Sequence, residues 1–474
     1  MSRTVVIVVT LVAYNILLIG IGLWARRRTR DEDDFFLGGR RLGPWVAAIS
    51  ASASSSSAWT LLGVSGAAYL WGLPAIWLIP ATISGFAINW FFVAPRLMPM
   101  SRASGAITLT GFLAGNEPTP LRPVIVNVAA FITVFAFLFY IAAQFQAAGN
   151  MFNSLFDLSM ETSMLIGAGI VVIYILLGGF WAVSVTDTVQ GLLMAASSIL
   201  LPAVALVTVG GFDGLMAGLR ALNEPGLLSW STEQTAGAGL AFAVGLLGIG
   251  WGYPGQPHVV NRFMALRDAQ ALKHGRRIAM GWAFVVYIGM VILGLCARVL
   301  MNEVPDNEQV FFLAADELLP PVVAGVVVAA VLSAIMSTTD SQLLVAASSV
   351  THDSSLRLRQ KNPRRQLLYS RVIVVMMTLA SVAIAIFASA AIFSRVLFAW
   401  HAVGSAFGPI LLIRISGRDI RPGFVLTAMC VGFLGTVIIN NFPDTPGDIL
   451  ERYLPFILAF AIAWAGSRSA RKRT

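Results

Sequence analysis

The chain has 474 residues, 57% hydrophobic and only 12% charged, with a mean hydropathy of +0.79 and a formal net charge of +9. Soluble domains carry roughly 25% charged residues, so this balance excludes a soluble globular protein. Two cysteines and four scattered histidines offer neither a disulfide framework nor a zinc-ligand pair, and no nucleotide-binding loop is present, which argues against an enzyme.

The composition predicts an all-α polytopic membrane protein. Spanning takes roughly 20 apolar residues per helix. Thirteen candidates lie near 4–25, 45–71, 74–94, 124–150, 163–182, 187–209, 237–260, 278–301, 321–350, 370–388, 392–415, 422–440 and 454–467. The first is long, lacks a small-residue cleavage site and runs into Arg26, Arg27 and Arg28, so it is expected to persist as a helix rather than be cleaved as a signal peptide.

The second candidate contains six serines between 50 and 57. Small hydroxyl residues let helices approach closely, which explains any single one of them. A run of six inside hydrocarbon is different, because polar groups at that depth survive only where they are buried in protein or line a wet cavity. The seventh candidate is interrupted over 245–257 by glycines and two prolines, which remove helix hydrogen bonds and free carbonyls. Interrupted helices in corresponding positions of two halves point to a transporter site near the bilayer midplane. The two breaks lie five helices apart, which predicts a five-plus-five inverted repeat. The expected organisation is an extra N-terminal helix and loop (1–44), the repeat core (45–416), and C-terminal helices with a short tail (417–474).

The ninth candidate places Ala334, Ser337, Thr338 and Ser341 at i, i+3, i+4 and i+7, on one helix face, with Asp340 beside them. Hydroxyls and freed carbonyls suit an alkali cation that must be released again, whereas a tight divalent cage would need several carboxylates. A small-residue packing face is the alternative. Basic residues cluster in alternate loops, at 26–41, 96–102, 262–277, 357–371, 414–421 and 468–473. The loops between them lean acidic, with Asp157, Glu161, Glu303, Asp306, Glu308, Asp444 and Glu451. The positive-inside rule then predicts the N-terminus outside and the C-terminus in the cytoplasm of a bacterial inner-membrane protein. Topology accounts for the net charge, and no nucleic-acid partner is needed.

Five motifs in order resemble the sodium/solute symporter family, most closely its proline-transporting members. They are Leu-Gly-Gly-Arg-Arg-Leu-Gly-Pro at 37–44, Gly-Gly-Phe-Trp-Ala-Val-Ser-Val-Thr-Asp-Thr-Val-Gln at 178–190, Gly-Gln-Pro-His at 255–258 with Arg-Phe-Met at 262–264, Met-Ser-Thr at 336–338 with Ser-Gln-Leu-Leu at 341–344, and Ala-Phe-Gly-Pro at 406–409. The resemblance implies a sodium-coupled symporter of small organic solutes. It implies a main sodium site from the carbonyls of Ala53, Ser56 and Ala334 and the hydroxyls of Ser337 and Thr338. It implies a second cation site at Asp187, Asp340 and Ser341, although Ser-Val-Thr-Asp at 184–187 also reads as a capping box that would set Asp187 at a helix N-terminus. For the solute it implies Ser57, Trp59, Tyr140, Ile249, Tyr253 and Pro257, whose aromatic members also fit ordinary core packing.

Two positions depart from the proline-transporting members, which carry an aspartate where this chain has Ser55 and a tryptophan where it has Ile249. The first bears on sodium coupling and the second on the solute, leaving a carboxylate, a sugar or a pantothenate-like solute as alternatives to a proline-like amino acid. His401 keeps a proton-coupled variant open. A sensor variant is disfavoured, because the sequence ends at Thr474 just past the last candidate helix with no signalling domain. Solute, sodium and the lipid bilayer are the expected partners, with no obligate protein partner evident.

Overall fold

The computed structural model describes residues 2–26, 37–115, 117–176, 180–233, 235–301, 303–353, 363–388 and 391–469. The arginines at 27–30 and the start of the second motif at 178–179 lie outside the described residues. So do the loop arginines Arg357 and Arg359 and the last residues of the basic tail.

Helices dominate in chain order. They are α1 (Arg3–Arg26), α2 (Pro44–Ala58), α3 (Val64–Trp71), α4 (Leu78–Ala87), α5 (Ala94–Ala103), α6 (Leu109–Ala114), α7 (Arg122–Phe156), α8 (Met160–Ile175), α9 (Phe180–Thr208) and α10 (Gly211–Ala221). After them come α11 (Ala236–Leu247), α12 (Pro257–Met264), α13 (Ala269–Leu300), α14 (Val310–Leu318), α15 (Pro321–Ser348), α16 (Pro363–Phe387), α17 (Ile392–Ile415), α18 (Pro422–Ile439) and α19 (Ile449–Ala465). Two three-residue strands, β1 (Arg418–Ile420) and β2 (Ser467–Ser469), pair antiparallel and tie the ends of α17 and α19 together.

Ten of the described helical segments are long and apolar enough to cross a membrane. The other three of the thirteen predicted segments are also helical. The second is diluted by its serines and divided into α2 and α3, α8 has a shorter apolar stretch at Met160–Ile173, and α19 has 17 residues.

Both predicted breaks are present. α2 ends where Ser57 takes φ 52° and ψ −175°, and α11 gives way to a tight 3-10 stretch, Gly248–Gly255, before Pro257 restarts the helix as α12. α2 packs against α9, α13 and α15, and the Gly248–Gly255 stretch packs on α17. α1 lies on α9 and α15, while α18 and α19 pack on each other and on α17.

Described parts of three basic loops meet on one face. Leu42 bridges Leu266, Arg40 donates to the Ala106 carbonyl at 2.8 Å, and Arg102 donates to the carbonyls of Leu266 and Arg267. At the opposite helix ends Arg3 pairs with Asp316 at 2.6 Å, Arg298 with Glu224 at 2.6 Å, and Trp77 donates to the Trp230 carbonyl at 2.8 Å.

Candidate functional site between the two broken helices

A broken helix inside a bundle leaves backbone groups without partners, and at membrane depth each must find one from a neighbour. At the first break, the Ala58 amide donates to Gln144 Oε1 at 3.0 Å and the Trp59 amide donates to Ser57 Oγ at 3.1 Å. At the second, donors come from three neighbouring segments and from Gln256 just past the break. Tyr453 and Arg452 donate to the carbonyls of Val244 and Gly245 at 3.0 and 3.3 Å, and Trp400 donates to that of Ile249 at 3.3 Å. Gln256 and Asn89 donate to the carbonyls of Gly252 and Tyr253 at 3.1 and 3.2 Å. These donors make the interruption a fixed feature of the fold.

One set of oxygens lies between α2 and α15. Ser337 Oγ is 3.4 Å from the Ala53 carbonyl and 3.3 Å from that of Ala334, while Thr338 Oγ1 donates to the Ser54 carbonyl at 3.2 Å. Ala53, Ala334, Ser337 and Thr338 are all fully buried. The Ser56 carbonyl accepts instead from Thr60 Oγ1. Ser55 donates to Ser52 at 3.0 Å and lines a small void of about 10 Å³ with Ala51, Phe86 and Tyr253. It therefore lies on another wall from the Ala53–Ser337 contact.

A second set lies one turn further along α15. Asp187 Oδ2 accepts from Arg262 Nη2 at 2.7 Å, from Ser50 Oγ at 2.8 Å and from Ser54 Oγ at 3.2 Å, and Ser341 Oγ donates to Asp340 Oδ1 at 3.2 Å. Two expectations are corrected here. Asp187 is the eighth residue of α9, which begins at Phe180, so it does not cap that helix. Arg262, grouped above with the loop arginines, is 1% exposed and paired with Asp187. Its helical surroundings hid it, and its place in the motif at 262–264 was the one available signal.

The aromatic residues expected around a solute do converge. Tyr140 OH donates to Ser57 Oγ at 3.3 Å, and Tyr253 packs edge-on to Trp400 with centroids 4.7 Å apart. Tyr287, which sequence reasoning missed, bridges Tyr253 OH at 3.3 Å and Ser56 Oγ at 3.5 Å. Ile249 is buried, with its carbonyl on Trp400, and Pro257 starts α12 behind Tyr253. Trp59 is 4% exposed and its indole Nε1 has no partner among the described residues. Above it Phe393 packs on Trp59 at 5.5 Å and on Trp71 at 5.4 Å.

Phe393 is itself held by Glu308, whose carboxylate accepts from the amides of Ile392 and Phe393 at 2.9 and 2.7 Å at the positive end of α17. Burial pushes the Glu308 carboxyl up to about 7, against the pull of those two amides. His401 is buried with Nε2 unpartnered among the described residues, and no described contact joins it to either oxygen set.

Two interrupted helices, with the helix restarted at Pro257 packed on α2 and aromatic side chains between the breaks, define a secondary transporter of the inverted-repeat class. A model of the sodium:solute symporter family matches residues 35–423, and the chain belongs to that family. It is 35% identical over 440 residues to the osmoregulated proline transporter of Bacillus subtilis, covering 91% of this chain and 88% of that one. It is 33% identical over 453 residues to the sodium/proline symporter of Escherichia coli, covering 93% and 89%. Among solved structures it shares its fold with a Na+-coupled sialic acid symporter, at TM-score 0.79 and 16% identity over 98% of this chain and 99% of that one. A nucleobase-cation-symport-1 family transporter matches at TM-score 0.57 and 13% identity over 92% and 95%. The protein is thus a multi-pass membrane symporter and not an enzyme, with sodium as the coupling ion.

Proposed function

We propose that the protein imports a small amino acid of proline's kind together with sodium, by alternating access to the centre between the two breaks. The observation that supports it most is that one backbone break, at Ser57, carries both the Ala53–Ser337 oxygens and the Tyr140–Ser57 contact of the aromatic lining. Sodium uses the carbonyls of Ala53, Ser56 and Ala334 with the hydroxyls of Ser337 and Thr338. Ser56 joins them when Thr60 releases its carbonyl. The solute lies against Ser57, Trp59, Tyr140, Ile249, Tyr253 and Pro257, which separate to admit it. Residues 45–416 form the repeat core of a thirteen-span protein, flanked by 1–44 and 417–474.

Sodium favours the solute-ready shape of the α2 break, so each ligand raises affinity for the other by the same factor. In thermal-shift titrations of purified protein, proline should stabilise more in sodium chloride than in choline chloride. Equal stabilisation in the two salts would contradict the coupling. The departure at Ile249 supports a second solute reading: where an indole is replaced by a branched aliphatic chain, a larger amino or carboxylic acid fits in proline's place. A sodium-dependent shift with such a solute and none with proline would select it.

The basic face lies in the cytoplasm of a bacterial inner membrane, with the N-terminus outside. Cysteines introduced at Gly226 and Glu303 should react with an impermeant maleimide in intact cells, and one at His274 only after permeabilisation. Labelling of His274→Cys in intact cells would reverse the orientation.

A further inference from the structure

We propose that Arg262 is a cation built into the chain at the second site, so that its guanidinium and a sodium ion compete for the same oxygens. The inference rests on the sodium-coupled reading above. Arg262 Nη2 lies 2.7 Å from Asp187 Oδ2 and 2.6 Å from Ser341 Oγ, and Nε lies 2.7 Å from Ser50 Oγ. Nη1 donates to the His258 carbonyl. Asp187 and Ser341 are two of the three residues through which a second cation would be held.

With Ser50 and Ser54 also on Asp187 Oδ2, that oxygen has three donors already. Asp187 Oδ1 and Asp340 Oδ2 are buried and without partners among the described residues, so the cluster keeps acceptors facing inward while its anchoring oxygen is taken by the guanidinium. Every member is at most 3% exposed. A buried carboxylate needs a positive partner, and a sodium ion that takes Asp187 Oδ2 or Ser341 Oγ takes an oxygen the guanidinium already holds.

The displaced guanidinium moves toward Phe180. Its Cζ is already 5.6 Å from the centre of that ring, and a water-sized cavity of about 20 Å³ lined by Phe180, Asn261, Arg262, Ser341 and Ser348 lies beside it, where the lining side chains part to admit the larger group. The two clusters also communicate, because Ser54 Oγ touches Asp187, Ser341 and the Ser337 carbonyl, while the Ser54 carbonyl accepts from Thr338. While Arg262 holds Asp187, one sodium ion accompanies each solute.

The test is a sodium titration of thermal stability on the full-length purified protein, with choline chloride holding ionic strength constant. The unaltered protein should respond with a Hill coefficient near one. Arg262→Gln leaves Asp187 without its cation. It should be destabilised in choline, and sodium should restore it through a second component that raises the coefficient toward two. Asp187→Asn and the double variant Asp187→Asn/Arg262→Gln should lack that component. A merely structural ion pair would give no sodium-specific recovery.

An Arg262→Gln protein whose titration matches the unaltered one would overturn the proposal. So would a coefficient of two in the unaltered protein that falls to one in Asp187→Asn, a comparison that decides the matter even where Arg262→Gln does not fold. If the unaltered protein shows no sodium response, the coupling reading fails, yet a response gained by Arg262→Gln still supports competition at this site.

Discussion

Ser337→Ala combined with Thr338→Ala should weaken apparent sodium affinity tenfold or more, equivalent to about 1.4 kcal/mol. Both hydroxyls are buried and both face carbonyls of α2 across the α2–α15 contact, Ser337 toward Ala53 and Thr338 toward Ser54. Their removal withdraws two of five proposed oxygens from an ion that has no carboxylate among those five. It also leaves buried carbonyls less satisfied, at about 1–3 kcal/mol each where no other donor reaches them. Thr338→Ser keeps the hydroxyl and should retain most of the affinity. That separates ligand loss from packing loss, since it removes only a methyl group. Sodium-dependent uptake in the double variant with an unchanged half-saturation concentration would remove both hydroxyls from the site.

Gly404→Val should abolish most transport. The break of the seventh span is seated backbone to backbone on α17: a Cβ on Gly404 would lie 2.6 Å from the Gly252 Cα, and one on Gly252 would lie 2.2 Å from the Trp400 ring. Neither neighbour is the free end of a flexible chain. Trp400 is held by its own bond to the Ile249 carbonyl and by the Gln256 amide on its carbonyl at 2.8 Å. Overpacking of this kind costs about 1–3 kcal/mol, and here it falls on the contact that orients Tyr253 and Trp400 toward the centre. Uptake should fall by at least tenfold, with Gly404→Ala intermediate. Gly423→Ala, at a position with nothing within 4 Å, should be neutral and serves as the control. Normal uptake by Gly404→Val would mean that the break moves independently of α17.

Both interruptions were legible in the sequence because they violate what a membrane span needs. A serine run lowers hydropathy where it should be highest, and Gly–Pro clusters remove hydrogen bonds that hydrocarbon cannot replace. The hydroxyl face of α15 was legible from the spacing of Ala334, Ser337, Thr338 and Ser341 alone. What hid from view was the set of partners. Gln144, Asn89, Tyr287 and Trp400 sit in unremarkable apolar helices far along the chain from the groups they serve. Pairings across 86 residues for Gln144 and 164 for Asn89 leave no periodic trace. Arg262 was misassigned for a related reason: a basic residue near a helix end looks like a loop anchor until its carboxylate, 75 positions away, is found beside it. Asp187 read as a cap because Ser-x-x-Asp is a local signal, whereas the helix had already started at Phe180. The predicted span count differs from the apolar-length count where polarity for the site or a short helix lowers the signal, as in α2 and α8.

Sodium-driven uphill uptake into proteoliposomes tests the central claim most directly. A membrane potential of roughly 100 mV contributes about 2.3 kcal/mol per sodium ion, and a tenfold gradient adds about 1.4 kcal/mol. With one-to-one coupling the two together permit accumulation on the order of 500-fold. The probe is radiolabelled proline, or the solute giving the largest sodium-dependent thermal shift. With inward sodium and an inside-negative potential, the account predicts concentration well above equilibrium, which collapses when a sodium ionophore is added and is lost in the Ser337→Ala/Thr338→Ala protein. Equal accumulation with choline in place of sodium, or accumulation driven by a proton gradient alone, would contradict it.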